Sequence, residues 1–163
     1  MFNPIRDLGD GWYETEINRS RGGFRMLQKV KKKRQPGIKA LKRKAWDLLS
    51  QIIRRGHANS DGMVGCYTCD RFSHWTEMDA GHAISGRGNG VLFDERIIRP
   101  QCRYCNRMRN GNYEVFITRL MREHLWTADD WDAVVTEGRR PRNLTVGELL
   151  DLIDEYKGRL KEL

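Results

Sequence analysis

Residues 66–69 read CYTC, and residues 101–112 read QCRYCNRMRNGN. These two stretches use all four cysteines of the 163-residue chain, as Cys66-x-x-Cys69 and Cys102-x-x-Cys105. Each C-x2-C turn presents two sulfurs to one ion, so four thiolates at this spacing match a tetrahedral Zn²⁺ site. A site with four sulfur ligands is closed: it holds structure and leaves no position for chemistry. The alternative is four buried cysteines without a metal. Disulfides are not expected, because the N-terminus (MFNPIRDLGDGWYETE) is acidic and polar where a secretory leader would be basic and then apolar. The expected compartment is therefore a reducing cytoplasm.

Chemistry has to be sought beside the cysteines. Residues 79–82 read DAGH, and Asn106 follows the second knuckle at once. A histidine ending a strand, opposite a polar ligand on a helix that begins at a zinc knuckle, is the arrangement of a ββα nuclease. On that reading His82 takes a proton from water. Asp79 and Asn106 hold one hydrated Mg²⁺ or Mn²⁺, and an ion that keeps most of its waters suits so few protein ligands. In a regular strand Asp79 and His82 point to opposite faces. A bulge at Gly81 would bring them to one side. Each assignment has a plainer rival. His82 can be structural, Asn106 can cap its helix, and Asp79 can pair with an arginine. Asp94 and Glu95 are the other carboxylates within reach, and Glu95 can instead pair with Arg99.

In Cys66-x-x-Cys69, Asp79-Ala-Gly-His82, Phe93-Asp-Glu-Arg96, Gln101-Cys102-x-x-Cys105-Asn106 and Gly111-Asn112, taken in order, the chain resembles the lambdoid-phage NinG, or Rap, recombination nucleases of the HNH superfamily. The resemblance covers about 47 residues, Cys66 to Asn112. It implies a treble-clef or ββα-metal fold and structure-selective cutting of branched DNA such as Holliday junctions and D-loops. Three positions depart from the family pattern. Ile97 stands where an asparagine usually orients the histidine. Arg109 replaces a lysine and keeps its charge. Gly81 stands where many relatives carry an acidic metal ligand, which leaves Asp79 as the nearest carboxylate.

The formal net charge is +8. It is concentrated, because residues 24–60 hold twelve basic residues against one acidic residue. One basic segment on an otherwise near-neutral chain reads as a docking surface for phosphates, with a solvated helix face as the alternative. The expected DNA contacts are Lys31, Lys32, Lys33, Arg34, Lys42 and Arg43 in that segment, and Arg87, Arg99, Arg107 and Arg109 around the candidate site. Arg96 and Arg103 lie among them. Arg87 tips a glycine-rich loop, residues 85–90, that can follow a backbone closely.

The expected fold is α+β: a small zinc-stabilised ββα-metal, HNH-like unit flanked by α-helices. Residues 1–37 read as an irregular arm, with a short strand at Gly11–Ile17 and then the basic run. Residues 38–56 form a basic amphipathic helix with Ile38, Leu41, Ala45, Leu48, Leu49, Ile52 and Ile53 on its apolar face. Residues 57–112 form the nuclease-like core, and 113–163 are helical. Within the last segment, Asn112 caps a helix running to Leu125, and Thr127 caps a short helix at TADDW. Thr145 with Glu148 makes a capping box for the last helix. The apolar face of that helix (Leu149, Leu152, Ile153, Tyr156, Leu160) is either a homodimer contact or packed within the chain. No run of eighteen apolar residues exists, so no membrane partner is expected. Two other functions compete with the nuclease: a non-catalytic zinc-knuckle module that binds nucleic acid, and an interaction protein whose basic helix docks an acidic host protein.

Overall fold

A computed structural model describes residues 36–163 apart from 87, together with three strands nearer the N-terminus: β1 (Arg6–Gly9), β2 (Trp12–Ile17) and β3 (Met26–Lys31). The chain divides into two compact units, Met1–Pro36 and Gly37–Leu163. The first contains a three-stranded antiparallel sheet in the order β1-β2-β3. This corrects the expectation of an irregular arm. The strand expected at Gly11–Ile17 is β2, and the start of the basic run forms β3. In the ladder, position 14 (Glu) faces position 29 (Lys). The side chain of Lys31, and Lys32, Lys33, Arg34 and Arg87 as a whole, lie outside the described residues.

The second unit is built on α1 (Ile38–Gly56), which has the expected limits. Leu41, Ala45, Leu49, Ile52 and Ile53 are buried, and the lysines and arginines fall on other faces. Gly56 lacks the side chain that would favour continuation, and the His57 ring Nδ1 lies 2.8 Å from the Ile53 carbonyl at the helix end. The buried stripe of α1 packs against α4 (Val146–Glu162) and against the strands described below. Leu149, Ile153 and Tyr156 of α4 are buried in this core. The α4 face is therefore spent inside the chain and is not free for a second copy.

The cysteine region has two short antiparallel ladders. In the first, β4 (Met63–Gly65) and β5 (Phe72–His74) flank the first knuckle. In the second, β6 (Met78–His82) pairs with β7 (Ile98–Cys102), which is buried along its whole length. After Cys102 the chain does not enter a regular helix. Residues Tyr104–Met108 form one wide turn, closed by the Arg109 N–H donating to the Tyr104 carbonyl at 3.0 Å. Asn110, Gly111 and Asn112 then all take positive φ (48°, 84° and 49°). Asparagine and glycine tolerate the left-handed region, which explains why the chain can kink here.

The helix expected from Asn112 is α2 (Tyr113–His124). Asn112 stands before it without capping it, and its Nδ2 instead donates to the Thr68 carbonyl at 3.0 Å. Leu125 falls off the apolar face because its left-handed φ of 56° ends the helix, leaving the side chain 88% exposed. α3 (Ala128–Arg139) is longer than TADDW alone suggests, since Val134 and Gly138 extend its buried side. The capping boxes at Thr127–Asp130 and Thr145–Glu148 are both formed. Among the described residues no helix is long and apolar enough to cross a membrane.

Candidate metal centre and arginine-lined cleft

The Sγ atoms of Cys66, Cys69, Cys102 and Cys105 lie within 4.8 Å of one another. Cys69 and Cys102 are 3.9 Å apart, far beyond a disulfide bond. Four sulfurs at Zn–S bonds of about 2.3 Å on a tetrahedron sit about 3.8 Å apart, so the spacing suits one ion. The four cysteines can hold a structural metal such as zinc. The electrostatics agree with that. Burial pushes the Cys66 thiol up, but hydrogen bonds at the Cys102 and Thr68 backbone and from the Thr68 and Cys69 side chains outweigh it and bring it down to about 6. Burial drives Cys69 up to about 12, with Cys66 and Cys105 adding to the effect. Crowded sulfurs resist sharing negative charge until a cation compensates it.

Gln101 ties the two knuckles together. It is fully buried, and its Nε2 donates to Thr68 Oγ1 at 2.9 Å and to the Gly111 carbonyl at 2.7 Å. Its Oε1 lies over Gly81, where an added Cβ would stand 2.0 Å away. Position 81 therefore has no room for the acidic side chain many relatives are expected to carry.

A cleft of about 550 Å³ opens beside β6. Asp79, His82 and Asn106 all border it, together with Arg54, Arg103 and Arg107. No bulge at Gly81 is needed to bring them together, because the β6–β7 register runs unbroken from Met78↔Cys102 to His82↔Ile98. β6 pairs with β7 alone among the described strands. The His82 ring stacks on Trp46 at 4.8 Å between centroids, and its Nε2 lies 3.3 Å from the Leu92 carbonyl. A carbonyl can only accept, so Nε2 carries the hydrogen, and in the neutral ring Nδ1 holds the lone pair. Asp79 is already held. Arg107 reaches it with Nε to Oδ2 and Nη2 to Oδ1, both at 2.8 Å, and Asn106 Nδ2 donates to Oδ2 at 2.9 Å. Burial raises the Asp79 pKa, but these bonds and the arginine charge outweigh it and leave the carboxyl below its ordinary value.

The remaining site expectations divide. Arg54 was not among the expected contacts, yet it enters the cleft anchored to the Ser50, Trp75 and Met78 carbonyls. Trp46, Ser50 and Arg54 recur every fourth residue on one side of α1, a spacing that could have marked them. Arg99 does not border the cleft. It is buried, paired with Glu123, and its Nη1 donates to the Glu95 and Ile98 carbonyls. The Glu95 carboxylate pairs with Arg159 at 2.6 Å, not with Arg99, and Asp94 pairs with Arg96 at 2.8 Å. Neither carboxylate borders the cleft, so the Phe93–Arg96 motif braces the loop against α3 and α4. Arg43 and Arg109 are exposed, and neither borders the cleft. Lys42 is half-buried and donates to Asn89 Oδ1.

The family of the bacteriophage lambda NinG protein matches residues 14–163. The chain belongs to the NinG family. No curated protein and no solved structure matches it. The NinG match runs from within β2 through α4, so it takes in both cysteine knuckles, all of the cleft residues and the helices that brace them.

Proposed function

We propose that this NinG-family chain is a zinc-stabilised, metal-dependent DNA endonuclease of the HNH, ββα-metal type that cuts branched DNA in phage recombination. One observation carries the reading: a histidine stacked on Trp46, a carboxylate and an amide meet in one cleft walled by arginines, apart from the four cysteines. Cys66, Cys69, Cys102 and Cys105 would hold a structural zinc, a closed four-sulfur site with no open position for chemistry. In the cleft, Arg54, Arg103 and Arg107 bind and orient the phosphodiester, and their charge favours the pentacovalent phosphorus. His82 Nδ1 accepts the proton of the attacking water, while the Leu92 carbonyl and Trp46 hold the ring in place. Asp79 and Asn106, neighbours at 2.9 Å, are a donor set that fits a hydrated Mg²⁺ or Mn²⁺. When bound, the ion supplies Lewis-acid stabilisation of the phosphate and of the leaving oxygen.

The test compares wild type with His82→Ala on four-way-junction and plasmid DNA in Mg²⁺ or Mn²⁺. Zinc content and DNA binding should match, and cleavage should fall by roughly 10²–10⁴-fold. Full cleavage by the variant would overturn the mechanism. Resolving a junction takes two incisions, so we also propose a two-fold homodimer on DNA. Light scattering that finds a monomer on junction DNA counts against it.

A second reading, a non-catalytic nucleic-acid-binding module, is favoured by one detail: Arg107 and Asn106 already engage both Asp79 oxygens, as a purely structural ion pair would. Absence of cleavage by wild type with either ion selects it.

A further inference from the structure

The connection from α3 to α4 reads Gly138-Arg139-Arg140-Pro141-Arg142. All three arginines are exposed. An arginine in the last turn of a helix offsets the helix dipole, which accounts for Arg139. It does not account for Arg140 or Arg142, which lie beyond α3. Arg140 is extended (φ −64°, ψ 135°), as a residue before proline must be. Along a chain this extended, positions 140 and 142 lie roughly 6–7 Å apart, close to the separation of successive phosphates along a strand.

The segment is held against the glycine-rich loop. A Cβ at Gly90 would stand 2.4 Å from the Gly138 carbonyl oxygen, and one at Gly138 would stand 2.6 Å from Val91 Cγ1. Only glycines let these backbones approach so closely. Asn89 locks the two together: its Nδ2 donates to the Arg142 carbonyl at 2.6 Å, and its Oδ1 accepts from Lys42 of α1. Between loop and connection lies a cleft of about 460 Å³. It shares Ile84, Ser85 and Gly86 with the cleft that holds His82, so the two adjoin. Its charge is nearly uncompensated. Arg142 has one long ion pair, 3.6 Å to Glu148, and Arg139 and Arg140 have no carboxylate partner among the described residues.

On the reading of this chain as a DNA-cutting enzyme, we propose that Arg139, Arg140 and Arg142, with Lys42, form a second phosphate-binding track that receives a DNA arm leaving the catalytic cleft. The track is rigid, because the glycine approaches and Asn89 fix it before DNA arrives. It grips backbone and reads no bases.

The test uses the full chain carrying His82→Ala, so that DNA stays intact, and measures anisotropy of a labelled four-way junction over a range of salt concentrations. Arg140→Ala with Arg142→Ala should lower affinity and reduce the slope of log K against log[salt] by roughly two, about one for each phosphate no longer neutralised. Arg140→Lys with Arg142→Lys should restore most of the slope. Arg122→Ala with Lys161→Ala removes the same charge from elsewhere and should change the slope far less. An unchanged slope in the folded Arg140/Arg142 alanine variant, or an equal change in the control pair, overturns the track. If the slope change holds but wild type never cuts DNA, the nuclease reading alone has failed.

Discussion

Arg107 grips Asp79 through two nitrogens, each 2.8 Å from a different carboxylate oxygen. The arginine is exposed and the aspartate half-buried, so the arginine is the partner free to leave. In the proposed enzyme the same carboxylate must serve a divalent ion, and arginine and ion compete for it. Arg107→Ala should therefore tighten Mn²⁺ binding a few-fold, read by titration calorimetry without DNA, since an exposed ion pair is only a weak competitor. Asp79→Asn should abolish that binding. Equal Mn²⁺ affinity in all three proteins would mean that Asp79 is not a ligand.

The cysteine centre should be a condition of folding for its surroundings. Residues 66–110 bury too little apolar surface to hold themselves, and metal affinity at such a site is folding free energy. Cys105→Ser, or a strong chelator, should release the Cys66–Asn110 region to rapid amide exchange. α1 and α4, which pack on each other, should stay protected. Full protection of β7 after metal removal would contradict this.

Ile97 shows how a family departure can be compensated elsewhere. If the histidine is oriented poorly for lack of an asparagine, Ile97→Asn should help. The structure argues the opposite. Ile97 is 0% exposed within the main core, and the Leu92 carbonyl already engages His82. Burying an amide there without partners costs about 1–3 kcal/mol, beyond the loss of apolar packing. The variant should melt several degrees lower with no gain in cleavage, which calorimetry and a junction assay would show.

The Arg99–Glu123 pair sets an acid limit. Burial raises the Glu123 pKa, but the Arg99 guanidinium and the Tyr67 hydroxyl (2.6 Å) outweigh it, so the folded value lies below the ordinary one. A depressed carboxylate contributes stability in full above its unfolded pKa, about 4.3, and loses it as pH falls through the folded value. Glu123→Gln should lower the melting temperature at pH 7, because buried Arg99 loses its counter-charge. It should also flatten the loss of stability below about pH 4.5. Parallel pH profiles for the two proteins would rule this out.

The sequence disclosed what local rules govern. The limits of α1 followed from Leu41, Leu49 and Ile53 at helical spacing, and the starts of α3 and α4 from Thr127 and Thr145. The four cysteines declared their own proximity. What stayed hidden depends on partners far along the chain. Glu95 reaches Arg159 and Arg99 reaches Glu123, and neither pairing leaves a mark in spacing. The kink after the wide turn was hidden too, because Asn110-Gly111-Asn112 reads as a helix cap unless three positive φ angles in a row are known. The N-terminal sheet was obscured by its own lysines, which look like a solvated run until register sets a glutamate opposite one of them.

Gln101 and Gly81 constrain the order in which this site can change. The glutamine oxygen occupies the space where a side chain at 81 would begin. An acidic ligand beside the histidine is therefore out of reach in one step: position 101 must first shrink, and its link between Thr68 and Gly111 goes with it. A lineage or a designer seeking that ligand must cross a weakened intermediate in which the knuckles keep the Tyr67 N–H to Pro100 carbonyl and Asn112 to Thr68 carbonyl bonds but lose the buried glutamine between them. Until it does, Asp79 is the carboxylate that borders this cleft.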